Sequence, residues 1–259
     1  MTLQQAKSSL GVSIAREWKR HKWLYGMAIP GVLIVFLFNY VPMYGILLAF
    51  KDYRIKEGIL GSPWVGFKYF EMFFSNPLAV RTIKNTFLLG LYNLLWSFPA
   101  PIILALLFNE LKNQRFKKII QTISYYPNFV STVIIIGMLS TICASDGIFN
   151  DIRGIFGAEP VNFMGEPEYF RTLYIASGIW QGVGFGTIIY LASLSGVDPT
   201  LYDVADIDGA SRLAKIWHIT LPHLKPTIVI LLIMAVGGTF GADSNKILLM
   251  YSPATYSTA

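Results

Sequence analysis

Five apolar stretches decide what this chain can fold into. They lie at about 24–48, 86–108, 128–144, 171–194 and 226–242, and apart from Arg171 at one margin none contains Asp, Glu, Lys or Arg. A bilayer is crossed by about 20 residues as helix, and backbone groups in lipid must be bonded within the segment. The alternation of a membrane barrel is absent, so helices are expected. The sequence therefore predicts an all-α, polytopic membrane protein with a leader at 1–23 and one transmembrane domain over 24–259. Its longest polar interruption in the second half is the loop 195–225. The first stretch is too long for a signal peptide, follows a leader of about 20 residues and lacks a small-residue cleavage site.

Composition agrees with this reading. Hydrophobic residues make up 54% of the 259 and charged residues 14%, against about a quarter charged in soluble domains. The net charge of +6 does not imply nucleic acid, because no basic stripe alternates with exposed aromatics. Lys and Arg gather beside the apolar stretches, where anionic headgroups of the lipid bilayer attract them. Cys143 is the single cysteine, which excludes an intrachain disulfide or a cysteine-rich metal site.

Orientation follows from Lys and Arg in the loops. Lys7, Arg16, Lys19, Arg20 and Lys22 precede the first stretch, Lys112, Arg115, Lys117 and Lys118 follow the second, and Arg212, Lys215 and Lys225 follow the fourth. Alternating spans put all three groups on one side, expected to be cytoplasmic together with the N-terminus. Lys51, Arg54, Lys56, Lys68, Arg81 and Lys84 lie on the other side and oppose the rule.

The loop reads LYDVADIDGASRLAKIWHITLPHLKP from Leu201 to Pro226. Asp198-Pro199 is a helix start, and Gly209 can take the left-handed conformation that ends a helix. A second helix is expected over 211–220, stopped before Pro222 because Leu221 precedes a proline. Ala205 and Gly209, four apart, give the first helix a smooth face that suits a partner's groove. Asp203, Asp208, His218 and His223 do not form a recognisable metal motif.

This segment resembles the EAA loop of ABC importer permeases, on Asp203-Val204-Ala205, Asp208-Gly209-Ala210 and Leu221-Pro222 at matching spacing. Asp203 and Val204 stand where that family prefers Glu and Ala. TISYYPNFVSTVIIIG and KILLMYSPATY are similar to other stretches of the carbohydrate (oligosaccharide) permeases, so the resemblance covers essentially the whole chain. It implies the type I importer permease fold and a multi-pass place in a bacterial plasma membrane. It also implies a coupling helix at Asp203, Val204, Ala205, Asp208, Gly209 and Ala210 that inserts into an ATPase subunit. The implied partners are a second permease subunit, a cytoplasmic ATPase dimer and an extracellular substrate-binding protein. The resembled permeases continue into one more transmembrane helix, so the family's last helix is expected to be missing here and KILLMYSPATYSTA to be an interrupted end.

The sequence holds no GxxxxGK[ST] phosphate loop, so this chain is expected to bind no cofactor, with ATP and Mg on the partner ATPase. No catalytic set lies within the apolar stretches, which argues against an intramembrane enzyme. No ionisable residue lies at their centres, which argues against an ion-coupled transporter. An importer of another solute, such as an amino acid or glycerol phosphate, is the alternative. For a carbohydrate path the candidates are Trp180, Gln181, Phe185 and Tyr190 in the fourth stretch and Asn93 and Trp96 in the second. Flat rings beside amides suit sugar faces and hydroxyls. Gly178, Gly182 and Gly186 form a stripe that suits close helix packing, and Pro99 and Pro101 are expected to kink the second stretch.

Overall fold

A computed structural model describes residues 20–239, 241 and 243–258. The leader cations Lys7, Arg16 and Lys19, and Phe240 and Ala242 of the fifth expected stretch, lie outside the described residues. The described residues divide into two compact units, one up to Pro77 and one from Leu78. Among the described residues there are helices and a single isolated bridge, Lys51 with Trp64.

The first unit holds α1, Arg20–Phe50, which is long and apolar enough to cross a membrane. The loop after it is a small folded piece. Phe50 stacks on Trp64 at 5.5 Å and meets the Phe67 and Phe70 rings. Lys51 Nζ donates to the Ile59 and Leu60 carbonyls, Arg54 pairs with Glu57, and Tyr69 donates to Asp52 at 2.7 Å. Three of the groups that oppose the charge rule thus sit in a self-paired structure: Lys51 and Arg54 directly, and Lys68 beside Tyr69 at 5.8 Å.

The second unit is built on two long helices, α2 (Pro77–Glu110) and α5 (Pro167–Leu194). Arg171 Nη2 donates to Asn85 Oδ1 at 3.0 Å, Gly186 lies against Pro101, and Tyr190 packs with Ala105. The offset stays nearly constant, so the two helices run parallel. The chain between them must therefore return across the bundle. It does so as α3 (Gln114–Phe129) and α4 (Thr132–Ile142), bent by 99°.

That bent pair replaces the straight helix expected over 128–144. Pro127 lacks an N–H, Val130 and Ser131 are extended, and the Ser131 hydroxyl caps Ile134 N at 3.4 Å. At 1.5 Å per residue α4 is only about 16 Å long, too short to cross alone. The return path needs both halves, so the expected five crossings hold only with the bent pair counted as one.

The loop joins α6 (Pro199–Ile207) to α7 (Arg212–Gly237). The second loop helix does not stop at Pro222 as the sequence predicts. A π turn over Ile216–Thr220 widens the backbone just ahead of the proline, Leu221 stays helical, and α7 runs on through Pro226. Burial decides this, because Thr220 and Leu224 are both fully buried and hold the continuous helix in place. A second π turn, Asn93–Ser97, stands ahead of Pro99 and Pro101 in α2, so the expected irregularity there is a widened turn.

The small-residue stripe is only partly the contact. Gly186 meets Pro101 and Gly178 meets Lys246 Nζ, but Gly182 faces open space. The tightest approach on α5 is at Gly184, where an added Cβ would strike the Ser124 backbone carbonyl. Gly184→Ala is therefore expected to destabilise the fold by about 1–3 kcal/mol, lowering the thermal midpoint in detergent. Gly182→Ala should leave the midpoint unchanged or raise it, since alanine is the better helix former.

Candidate functional site

Two features of the second unit carry chemistry: the α6 loop at one end and a polar cavity between helices. The Asp198 carboxylate accepts from Thr200 N at 2.9 Å, which lowers its pKa and caps α6. At the other end Gly209 has φ +70°, Ala210 N donates to Ala205 O at 2.8 Å and Gly209 N to Asp206 O at 3.2 Å. These two bonds form a Schellman stop. Ser211 then caps α7 through Ala214 N.

The loop is tied to the helices around it. Tyr202 and Thr220 share a hydroxyl contact at 2.9 Å, His223 Nε2 lies 3.1 Å from Ser193 O, and Lys215 Nζ pairs with Asp206 at 2.6 Å. The Lys215 hydrogen bond, helped by the charge of Lys112, lowers the Asp206 carboxyl. Lys112 and the loop therefore share one end of the unit, together with Arg115, Lys117 and Lys118.

With Tyr202 turned inward and Ala205 half-buried, α6 presents Leu201, Val204 and Ile207, the last 86% exposed. Leu213 and Trp217 in the first turns of α7 are exposed as well. Among the described residues the Asp203 and Asp208 side chains form no hydrogen bond or ion pair, and both are exposed. The expected smooth face at Ala205 and Gly209 is thus not the outward one at Ala205, although Gly209 is exposed. The i, i+3 spacing of Leu201, Val204 and Ile207 was the available signal. Ala210 and Leu221 are half-buried, and Pro222 is exposed at the α7 π turn.

The cavity, about 400 Å³, lies among α2, α5 and the segment after α7. Its polar lining is Asn93, Ser97, Tyr174, Thr239 and Asp243, set among Leu89, Leu94 and Phe98. Asn93 and Ser97 lie on the π turn, an irregularity that often marks functional positions. The Ser97 Oγ is buried without a partner among the described residues. Gly90 lets the Thr239 backbone approach α2 closely, and Asp243 N donates to the Tyr174 hydroxyl oxygen at 3.3 Å.

The six path candidates do not come together. Asn93 lines the cavity, whereas Trp96 lies in a separate groove with Tyr92 and Arg171. Trp180 faces another hollow beside Thr122, Tyr126 and Met138. Gln181 Nε2 donates to Val130 O at 3.1 Å, satisfying a carbonyl released by the α3–α4 break. Phe185 meets the Phe129 ring edge at 6.1 Å, and Tyr190 is buried in the packing of α2, α5 and α7. Ser97 stands with Tyr92, Asn93 and Trp96 in the polar and aromatic cluster of the second stretch, whereas Tyr174, Thr239 and Asp243 were missed, because nothing local in the sequence brings them to it.

Comparison with known proteins places this geometry. The family described as "Binding-protein-dependent transport system inner membrane component" matches residues 73–243. The chain is 44% identical over 241 residues to the polygalacturonan/rhamnogalacturonan transport system permease protein YteP of Bacillus subtilis (strain 168), covering 93% of this chain and 75% of the relative. It superposes on a crystal structure of a bacterial ABC transporter involved in the import of the acidic polysaccharide alginate. That match has a TM-score of 0.86 at 38% identity and covers 95% of this chain and 83% of the other. A second structure, of the bacterial alginate ABC transporter in complex with alginate pentasaccharide-bound periplasmic protein, matches with a TM-score of 0.85 at 38% identity, over 94% and 81% of the two chains.

Beside the cavity, Lys246 of the helix Ser244–Met250 is 6% exposed. Its Nζ donates to Tyr174 O at 2.7 Å and lies 4.6 Å from the Tyr174 ring centre. Burial lowers its pKa from 10.5 to about 8, against the opposing attraction of Asp243. The unfolded chain thus holds the proton more tightly between about pH 8 and 10.5, so stability from this group rises with pH across that window. The thermal midpoint is expected to climb over this range more steeply in the natural protein than in Lys246→Met. Parallel profiles would show that Lys246 is not held as described.

Proposed function

The chain belongs to the binding-protein-dependent transport system inner membrane component family, and from that membership we propose how it works: as one permease of an ATP-driven importer for an oligosaccharide, with the N-terminus in the cytoplasm and α6 docked on an ATPase subunit. The carbohydrate assignment is supported by the polygalacturonan/rhamnogalacturonan and alginate systems it resembles. The cavity is compatible with it, since an amide, hydroxyls and a carboxylate among apolar side chains suit a polyhydroxylated solute.

The observation that carries the coupling role is the outward face of α6. A capped, Schellman-stopped helix exposes Leu201, Val204 and Ile207 between the unpaired acids Asp203 and Asp208, at the end that gathers Lys112, Arg115, Lys117, Lys118, Arg212 and Lys215. That basic end suits the cytoplasmic side. An apolar ridge rimmed by charge is the surface of a protein contact. On this reading ATP and Mg act on the ATPase dimer, a second permease completes the path, and an extracellular binding protein delivers the solute. This chain then binds no cofactor.

Ile207→Glu leaves the fold untouched, because the side chain is almost wholly exposed, but should abolish uptake and substrate-stimulated ATPase in the assembled transporter. A cysteine at Asp203 should crosslink to the ATPase subunit. Crosslinking to the external binding protein instead would reverse the orientation, and normal uptake by Ile207→Glu would remove α6 from coupling. Gly209→Trp, forced into a left-handed backbone at a strain of about 1–2 kcal/mol, should lower uptake while the protein still reaches the membrane.

A further inference from the structure

A groove of about 490 Å³ runs between α2 and α5 beside Tyr92 and Trp96, on a different face of α2 from Asn93 and Ser97 of the polar cavity. Its chemistry is graded along its length. Glu168, Arg171 and Thr172 stand at one end, in the first turns of α5, and below them come Ile175, Ala176 and Ile179. From Arg171 to Ile179 is about 12 Å along the helix. The charged end is level with Asn85, the residue next to the apolar run of α2, as the Arg171–Asn85 hydrogen bond shows. The charges therefore sit where a bilayer's hydrocarbon meets its headgroups, and the shaft lies within the hydrocarbon.

We propose that this groove binds one glycerophospholipid whose headgroup carries an amine. Arg171 reads the phosphate, Glu168 the ammonium, and one acyl chain lies along Tyr92, Trp96, Ile175 and Ile179. Arg171 is prepared for an anion: it lines the groove, Asn85 fixes Nη2, and among the described residues no carboxylate pairs with the guanidinium. An anion alone would be opposed by Glu168, one turn away on the same face. A headgroup carrying both signs satisfies the two residues together. A sugar would need hydroxyl partners along the whole groove, whereas the charged groups and the threonine lie only at its end. Trp96, 64% exposed, and Tyr92 supply the flat surface that interfacial lipids favour.

Native mass spectrometry of the full chain, incubated with phosphatidylethanolamine, phosphatidylglycerol or phosphatidylcholine, tests this. Retention of phosphatidylethanolamine is expected at about tenfold lower concentration than of phosphatidylglycerol, the worth of one charge-assisted hydrogen bond. Arg171→Gln should weaken both lipids by about tenfold. Glu168→Gln should erase the preference without weakening phosphatidylglycerol. Because Arg171→Gln also disturbs Asn85, Ala176→Trp is the second probe: it fills the groove from an exposed position and should block retention with Arg171 intact. Equal retention by the natural protein and Ala176→Trp would overturn the proposal, as would equal binding of the two lipids. So would a cysteine at position 176 that crosslinks to the second permease in the assembled transporter, which would identify the occupant as a protein helix.

Discussion

The parallel contact of α2 and α5 is the constraint from which the rest of the second unit follows. Two neighbouring helices that run the same way oblige the chain between them to recross the bundle, and α3 with α4 is that return. The same contact brings Asn85 to Arg171 and Pro101 to Gly186. It also sets the polar cavity on one flank of α2 and the lipid-like groove on another. In lipid such contacts gain little from the hydrophobic effect and depend on close packing. Backbone-to-backbone approaches at Gly90 and Gly184 are therefore where the architecture is least tolerant.

Backbone accounting in an apolar surrounding explains the irregularities. Every carbonyl released there needs a donor. The α3–α4 break leaves Val130 O to Gln181, whose amide completes the backbone there. The prolines of α2 and α7 are each preceded by a π turn, which keeps the helix running where proline removes an N–H. In α2 that turn also presents Asn93 and Ser97 to the cavity. One local device thus serves both helix continuity and the polar lining.

The sequence was most legible where a feature is local. Asp198-Pro199 starts α6 and Gly209 stops it because capping depends on a few adjacent residues. The helix positions followed from apolar length alone. Pro222 misled because its effect on α7 depends on Leu224, which is buried with Ala105 of α2 and Tyr190 of α5 far away in sequence, and on Thr220, buried against Tyr202. The separate surroundings of the path candidates were illegible for the same reason. Trp180 and Tyr190 share a helix, but one is exposed and the other is packed against Ala105, and no spacing rule distinguishes them. Lys246 gave no sign of burial, since its partner Tyr174 lies 72 residues earlier.

The two functional features are joined mechanically. Tyr202 to Thr220 and Asp206 to Lys215 tie α6 to α7, while His223 to Ser193 ties α7 to the end of α5. The cavity is walled by the far parts of those same helices, Tyr174 on α5 and the Gly238–Thr239 turn after α7. A push on Leu201, Val204 and Ile207 therefore reaches both walls through continuous helix. Lys246, bonded to the Tyr174 carbonyl, ties the segment after α7 to α5 at that far end. Rigid elements pinned at both ends respond to a displaced end by shifting as bodies. A displacement applied at the α6 end is therefore carried along α5 and α7 to the end that encloses the polar cavity.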